Sequence, residues 1–443
     1  MDQNIKAANV KNKLISGTIV GLTLFLSILR IISVFGMRGF NCEGLPFDLD
    51  VICTPGNILY ELSLWLVVVL LVGYQLFRSK EIRPFITAWR NNWILVAFIS
   101  FVFLSAIWTA ALSVTLTKAV ILLICTITFA YLGSHYKVET VFRFLVRFFS
   151  ILTVINLIFV FVIPNLGTSS DPLYIGSWRG IFWHKNYLGS ITAFGSSLFL
   201  MDLLAYPHRR LLMKICEGFL LLLSIWLIIM SHSAAGLIIL IILMGICLVI
   251  YLWLKIKIHL RPLHYIILGF IALIGVAFIL FNLDFIFGLL NRNTSLTGRL
   301  PLWQYLINNI IISKPWLGNG YGAIWAFEGF REHTSAIVNW RFPIFIGDNG
   351  LIDITLHLGI AGLILTLAIY VISLIRSVQY IQNGKNLICF FPLVGSIFGF
   401  LANISLSMFL ELEYMVWLLI VFPLFIHTSQ FTNSQAVSAH TTK

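Results

Sequence analysis

Arg179, His184 and Lys185 fall within one short run, Arg-Gly-Ile-Phe-Trp-His-Lys, set between aromatic side chains and followed by a long apolar stretch. Cationic groups gathered where a helix begins suit an anion, because the helix end supplies free N–H groups and the positive end of its dipole. A guanidinium adds a two-pronged fork that matches phosphate oxygens. The same segment also reads as an interfacial belt, with Trp178 and Trp183 anchored at headgroup level.

Three further segments lie downstream. Leu296–Trp303 holds Arg299 just ahead of Pro301, a residue favoured at a helix start. Leu300, Trp303, Ile307, Ile310 and Ile311 then recur at three- and four-residue spacing. This predicts an amphipathic helix over roughly 300–313, too short to span and suited to the membrane surface. Arg299 there either meets an anion or snorkels to headgroups. Pro315-Trp-Leu-Gly-Asn-Gly-Tyr-Gly322 alternates glycine with larger residues, which permits a tight turn or a close backbone approach. It lacks the preceding strand and the Lys–Ser/Thr of a phosphate-binding loop. In Gly347-Asp348-Asn349-Gly350-Leu-Ile-Asp353, Asp348 is either a helix N-cap, the reading the position favours, or a general base at the bilayer surface. Asp353, one turn deeper, is harder to explain structurally. His184 and His333 are alternative bases, ranked below Asp348.

The elements that position these residues are hydrophobic spans. The chain has 443 residues, of which 59% are hydrophobic and 10% charged, with mean hydropathy +0.97. A soluble domain carries about 25% charged residues, so lipid must be the main solvent. Inside lipid only helices and closed barrels satisfy their backbone. Long apolar runs such as Ile215–Met230 and Leu263–Phe281 lack a barrel strand's alternation. The expected fold is therefore an all-α polytopic membrane protein of about a dozen spans. They lie at roughly 14–36, 58–77, 92–110, 112–133, 148–164, 187–205, 215–231, 234–254, 263–283, 349–375, 387–405 and 408–427. Residues 1–283 then form helices one to nine, 284–348 a long loop with short amphipathic helices, 349–427 helices ten to twelve and 428–443 a tail. The first run, Leu14–Phe35, reads as an uncleaved helix rather than a signal peptide.

The net charge of +12 does not point to nucleic acid, which would need the basic residues on one soluble face. Nineteen of the 29 lysines and arginines follow alternate spans or sit at the termini. That asymmetry puts both termini in the cytoplasm and the long loop outside. Of the remainder, Arg30 and Lys118 fall inside spans near their ends, where snorkelling is at least as good a reading as function. Of six cysteines, Cys125, Cys216, Cys247 and Cys389 lie in or beside apolar spans and read as inert. Cys42 and Cys53 bracket a polar loop and could pair if that loop faces an oxidising compartment.

In this order, the segments resemble the bacterial O-antigen ligase and O-antigen or exopolysaccharide polymerase superfamily of GT-C-type membrane glycosyltransferases. The resemblance rests on Arg179 to Asn186 with Leu188-Gly189, Thr297-Gly-Arg299 with Trp303, Pro315 to Gly322, and Asp348-Asn-Gly350 with Leu358-Gly359-Ile-Ala-Gly362. It implies an undecaprenyl-diphosphate-linked glycan donor, transfer to a sugar hydroxyl on the periplasmic face of the inner membrane, and no metal or other cofactor. Arg179 and Arg299 would hold the diphosphate, and Lys185, His184, Asn186, Asn349 and Arg341 would contact substrate. The expected partners are the lipid-linked oligosaccharide, membrane lipids and polysaccharide assembly and export proteins. Ligases of the family carry His before the Asn of the re-entering helix; this chain carries Asp348. The base is therefore not carried over as such, and the substitution favours a polymerase, extending a second lipid-linked repeat unit, over a ligase acting on lipid A core. Twelve spans also fit a transporter, though no repeat relates the two halves.

Overall fold

The structure, a computed structural model, describes residues 17–27, 40–43, 52–55, 58–169, 174–256, 299–338, 344–382, 386–408 and 414–426. Helices dominate it, as expected for a polytopic membrane protein. Helix α1 is Gly17–Ser27. A two-stranded antiparallel hairpin follows, β1 (Phe40–Glu43) and β2 (Ile52–Pro55), an element the hydropathy pattern did not announce. Then come α2 (Ile58–Ser79), α3 (Ile82–Arg90), α4 (Trp93–Leu104), α5 (Leu112–His135), α6 (Val138–Val162), α7 (Pro164–Gly167), α8 (Lys185–Ala205), α9 (Leu211–Met230) and α10 (Ala234–Ile256). Two short helices, α11 (Arg299–Tyr305) and α12 (Glu328–Ile337), belong to the long loop. The chain returns through α13 (Gly350–Gln382), α14 (Phe391–Ser405) and α15 (Tyr414–Leu424).

Among the described residues, eight helices are long and apolar enough to cross a membrane, or nine if the bent pair Ile82–Arg90 and Trp93–Ile107 is one span. Eleven of the expected spans coincide with a helix; the ninth, at 263–283, lies outside the described residues. The details differ. The fifth helix begins at Val138 rather than 148, because Arg143 is solvated at the helix end and bonds Glu139 at 2.7 Å. The third is short and meets α3 at 82°. The tenth is one helix by sequence but is broken at Gly359, whose φ of +64° and ψ of −167° no α-helix contains.

Glycine and small polar residues let the helices close on one another, the packing expected where lipid supplies no hydrophobic drive between them. A Cβ on Gly236 of α10 would stand 2.6 Å from the Cα of Gly189 in α8. Helix α8 is the most enclosed, with Tyr187, Phe194, Leu198 and Phe199 fully buried. Trp417 of α15 donates its indole N–H to Thr126 of α5 at 2.9 Å.

The helices alternate in direction, which gives the bundle two ends. At the first end, Trp178 N–H reaches the Met230 carbonyl (3.0 Å), Tyr321 N–H reaches Ser105 Oγ (3.0 Å) and Asn349 Nδ2 reaches the Ile404 carbonyl (3.4 Å). At the second end, Asn92 and Arg376 both donate to the Leu424 carbonyl, at 3.2 and 3.1 Å. Arg78, Arg90, Lys137, Arg143, Arg209, Lys214 and Lys255 belong to this second end by their helix termini. The charge asymmetry of the sequence is thus an asymmetry of the folded bundle.

Candidate functional site

The long loop re-enters the bundle at Gly347–Gly350, and the first helical turn of α13 is held there from three sides. Asn349 caps the helix: its Oδ1 accepts from Leu351 N–H (2.9 Å) and Ile352 N–H (3.3 Å). This corrects the reading of Asp348 as the cap, and it gives Asn349, expected to contact substrate, a structural task. Asp348 instead adopts φ +52°, in the left-handed region, where aspartate is among the better tolerated non-glycine residues. That turn swings its carboxylate off the helix axis and toward α11, where Arg299 Nε donates to Asp348 Oδ2 at 3.3 Å. The Arg299 and Asp348 side chains are 15% and 18% exposed, so the pair is shielded but not sealed. Trp303, one turn along α11, donates its indole N–H to the Gly347 carbonyl at 2.8 Å and closes one side.

Asp353 explains itself in this setting. It is 1% exposed and accepts from Trp325 Nε1 (2.9 Å), from Gly347 N–H on both oxygens (3.0 Å each) and from the Ser407 hydroxyl. A buried carboxylate given several donors is a fastening point. Here it ties the loop, the 3₁₀ turn Ile324–Ala326 and the stretch after α14 together one turn below Asp348. The carboxylate was conspicuous in the sequence, but Trp325 and Ser407 lie too far along the chain for spacing to connect them.

The Pro315–Gly322 segment fills the break in α13. Ile360 and Ala361 N–H donate to the carbonyls of Pro315 (2.8 Å) and Trp316 (3.2 Å), while Asn319 and Gly320 N–H donate to those of Leu356 (3.0 Å) and His357 (2.9 Å). The groups freed by the break are therefore paired again, as a lipid-embedded backbone requires. The glycines permit the approach: a Cβ on Gly318 would lie 2.6 Å from Gly359 N, and one on Gly359 would lie 2.3 Å from the Trp316 carbonyl. Trp108 indole N–H adds a bond to the Leu317 carbonyl at 3.1 Å.

Lys118 does not snorkel. It is 7% exposed, and a Cβ on Gly322 would be 2.7 Å from its Nζ. His357, 1% exposed, meets Tyr321 edge to face with ring centroids 5.9 Å apart. Asp353 and His357, four residues apart on one helix face, were a signal legible in the sequence.

The cluster on α8 lies at the same end and is differently built. Arg179 donates from Nε to the Leu166 carbonyl (3.0 Å) and from Nη1 to the Trp183 carbonyl (3.4 Å). Burial pulls its guanidinium pKa below the ordinary arginine value. His184 caps α8, its Nδ1 accepting from Asn186 N–H at 3.2 Å. Lys185 is 4% exposed; its ammonium donates to the His232 carbonyl at 3.1 Å and sits 4.3 Å from the Tyr174 ring centroid. Trp178 packs on Trp226 rather than standing at a surface. Arg299 and Asp348 are thus joined directly, whereas Arg179, His184 and Lys185 form a separate group at the same end of the bundle.

Two other expectations shift. The amphipathic stripe of 300–313 is rotated: Leu302 and Leu306 are buried, while Leu300 and Ile307 are exposed, and the helix loosens into a π-turn over Leu306–Ile311. His333 is exposed and meets the Tyr305 ring edge to face, with centroids 6.2 Å apart. Arg331 is 3% exposed and lies 4.9 Å from the Phe345 ring centroid; burial lowers its pKa despite Glu328 and Glu332. Arg341 lies outside the described residues.

The arrangement offers a carboxylate oxygen beside a guanidinium, under indole cover, at one end of a helical bundle. Known proteins resemble this chain in sequence. A family model described as O-antigen ligase matches residues 219–367, which include Arg299, Asp348 and the Gly359 break. The exopolysaccharide production protein ExoQ of Rhizobium meliloti (strain 1021) is 26% identical over 321 residues, 70% of this chain and 68% of that one. These similarities support kinship with the O-antigen ligase and polysaccharide polymerase superfamily and a ligase- or polymerase-type, glycosyltransferase-like role in polysaccharide biosynthesis.

Proposed function

We propose that the chain is a polysaccharide polymerase of the bacterial inner membrane. It transfers a glycan from undecaprenyl diphosphate to a sugar hydroxyl of a second lipid-linked repeat unit. The observation that carries this reading is the Arg299–Asp348 pair. The basic residues gathered at the second end support a cytoplasmic second end; on that reading the site opens to the periplasm.

Asp348 uses Oδ2 for Arg299, leaving Oδ1 to accept the acceptor's hydroxyl proton. The oxygen attacks the anomeric carbon, and the bond to the diphosphate breaks with inversion. Among the described residues, the Nη groups of Arg299 carry no hydrogen bond, and they face the task of stabilising charge on the departing diphosphate. Arg179, by motif position, supplies the second guanidinium, steadied by the carbonyls of Leu166 and Trp183. Lys185 and His184, by motif position, contact the substrate from the start of α8.

The carboxylate in place of a ligase histidine favours polymerase over ligase. A transporter would be expected to use its broken helix for a substrate. In α13 the freed backbone groups are instead occupied by residues 315–320. Purified protein supplied with lipid-linked repeat units tests the proposal. Growth of chains with release of undecaprenyl diphosphate supports it. Transfer only to lipid A core makes the protein a ligase, and movement of substrate without bond formation makes it a transporter.

A further inference from the structure

Cys42 of β1 and Cys53 of β2 stand directly opposite each other in antiparallel register, between the pairs Asn41–Thr54 and Glu43–Ile52. Opposed residues of an antiparallel pair have Cα atoms about 4.5–5.5 Å apart. A disulfide joins Cα atoms about 4.4–6.8 Å apart. The register is therefore compatible with a cross-link between the two positions. The other four cysteines are free thiols on helices.

The hairpin leads into the first-end terminus of α2, and β2 lies against the Ile324–Ala326 turn. That turn carries Trp325, the indole donor to Asp353. Two four-residue strands alone form a marginal hairpin in water, so a cross-link between them would decide how firmly this neighbour of Trp325 is held.

We propose that Cys42 and Cys53 are joined as a structural disulfide that braces the Trp325–Asp353 connection beneath Asp348. The proposal rests on the orientation given above, with the first end facing the periplasm. A thiol–disulfide exchange oxidant of that compartment makes the bond. One thiolate attacks the oxidant's disulfide, the second displaces the mixed disulfide, and two protons and two electrons leave the pair as the oxidant departs as a dithiol. In a reducing compartment the bond would not persist.

The test uses the full chain in membranes, acid-quenched, denatured and alkylated before and after reduction, with peptide mass as the readout. The expected result is a linked pair two hydrogens lighter than the dithiol, with Cys42 and Cys53 alkylated only after reduction and Cys216 alkylated in both samples. Alkylation of Cys42 and Cys53 before reduction overturns the disulfide. An impermeant maleimide applied to intact, reduced cells separates the causes. Labelling from outside leaves the orientation standing and the disulfide alone refuted. Labelling only after permeabilisation refutes the orientation as well. Reductant should slow chain growth by the wild-type protein several-fold, and should leave the Cys42→Ser, Cys53→Ser double variant unchanged. Equal rates with and without reductant in the wild type overturn the bracing role.

Discussion

Arg299 and Asp348 meet at 3.3 Å although 49 positions separate them in the chain. The contact closes the long loop on itself, from the start of α11 to the start of α13. It also settles what each end does, since Asn349 takes the capping task and frees the Asp348 carboxylate for the arginine.

Replacing Arg299 removes both the partner of Asp348 and a donor for the departing diphosphate. Arg299→Ala should lower chain growth by about 10²–10³-fold, the loss of about 3–4 kcal/mol seen when a transition-state donor is deleted. Lipid-linked repeat units should accumulate at normal protein levels. Polymer of wild-type length made by this variant would remove Arg299 from the diphosphate site.

The capping assignment separates two adjacent residues. Asn349→Ala should destabilise the protein by about 1 kcal/mol through loss of the N-cap, measured by thermal unfolding in detergent. Asp348→Asn keeps the side-chain shape and the tolerance of positive φ and loses only the charge of the Arg299 pair, so any destabilisation should trace to that pair and not to the cap. An Asn349→Ala variant as stable as wild type would mean that Asn349 does not cap α13.

Asp353 fastens the site without touching it. Asp353→Asn presents an amide where three donors converge, so at least one donor loses its acceptor, at a cost of about 1–3 kcal/mol. Chain growth should fall with it as Gly347 and Asp348 shift. A variant as active and as stable as wild type would show that this fastening does not position Asp348.

The break in α13 depends on two glycines. Gly359→Ala combines a left-handed backbone with a Cβ 2.3 Å from the Trp316 carbonyl, and should cost about 3 kcal/mol or more. Gly245→Ala, where nothing lies within 4 Å, is the control and should be neutral or slightly stabilising. Equal stability of the two variants would mean that residues 315–318 do not fill the break.

Much of this was legible in the sequence, and the rest was hidden for definable reasons. Hydropathy found the spans because lipid punishes polar residues along a whole helix. Charge asymmetry found the two ends because basic residues collect at alternate helix termini. The loop bounds Arg299 and Asp348 stood out as charges where few are tolerated. What stayed hidden depends on contacts between distant segments. Nothing local says that Pro315–Gly322 replaces the hydrogen bonds lost at Gly359, that Lys118 lies buried beneath Gly322, or that Trp325 and Ser407 meet on Asp353. The choice between Asp348 and Asn349 as cap turned on one backbone angle at Asp348, which residue type alone does not decide.

The most direct measurement compares Asp348→Asn with wild type in chain growth by purified protein on lipid-linked repeat units, at matched folding and substrate saturation. If Asp348 takes the acceptor's proton, the variant should bind donor normally and lose about 10²–10⁴-fold in rate. Chain growth at the wild-type rate in Asp348→Asn would contradict base catalysis by this carboxylate.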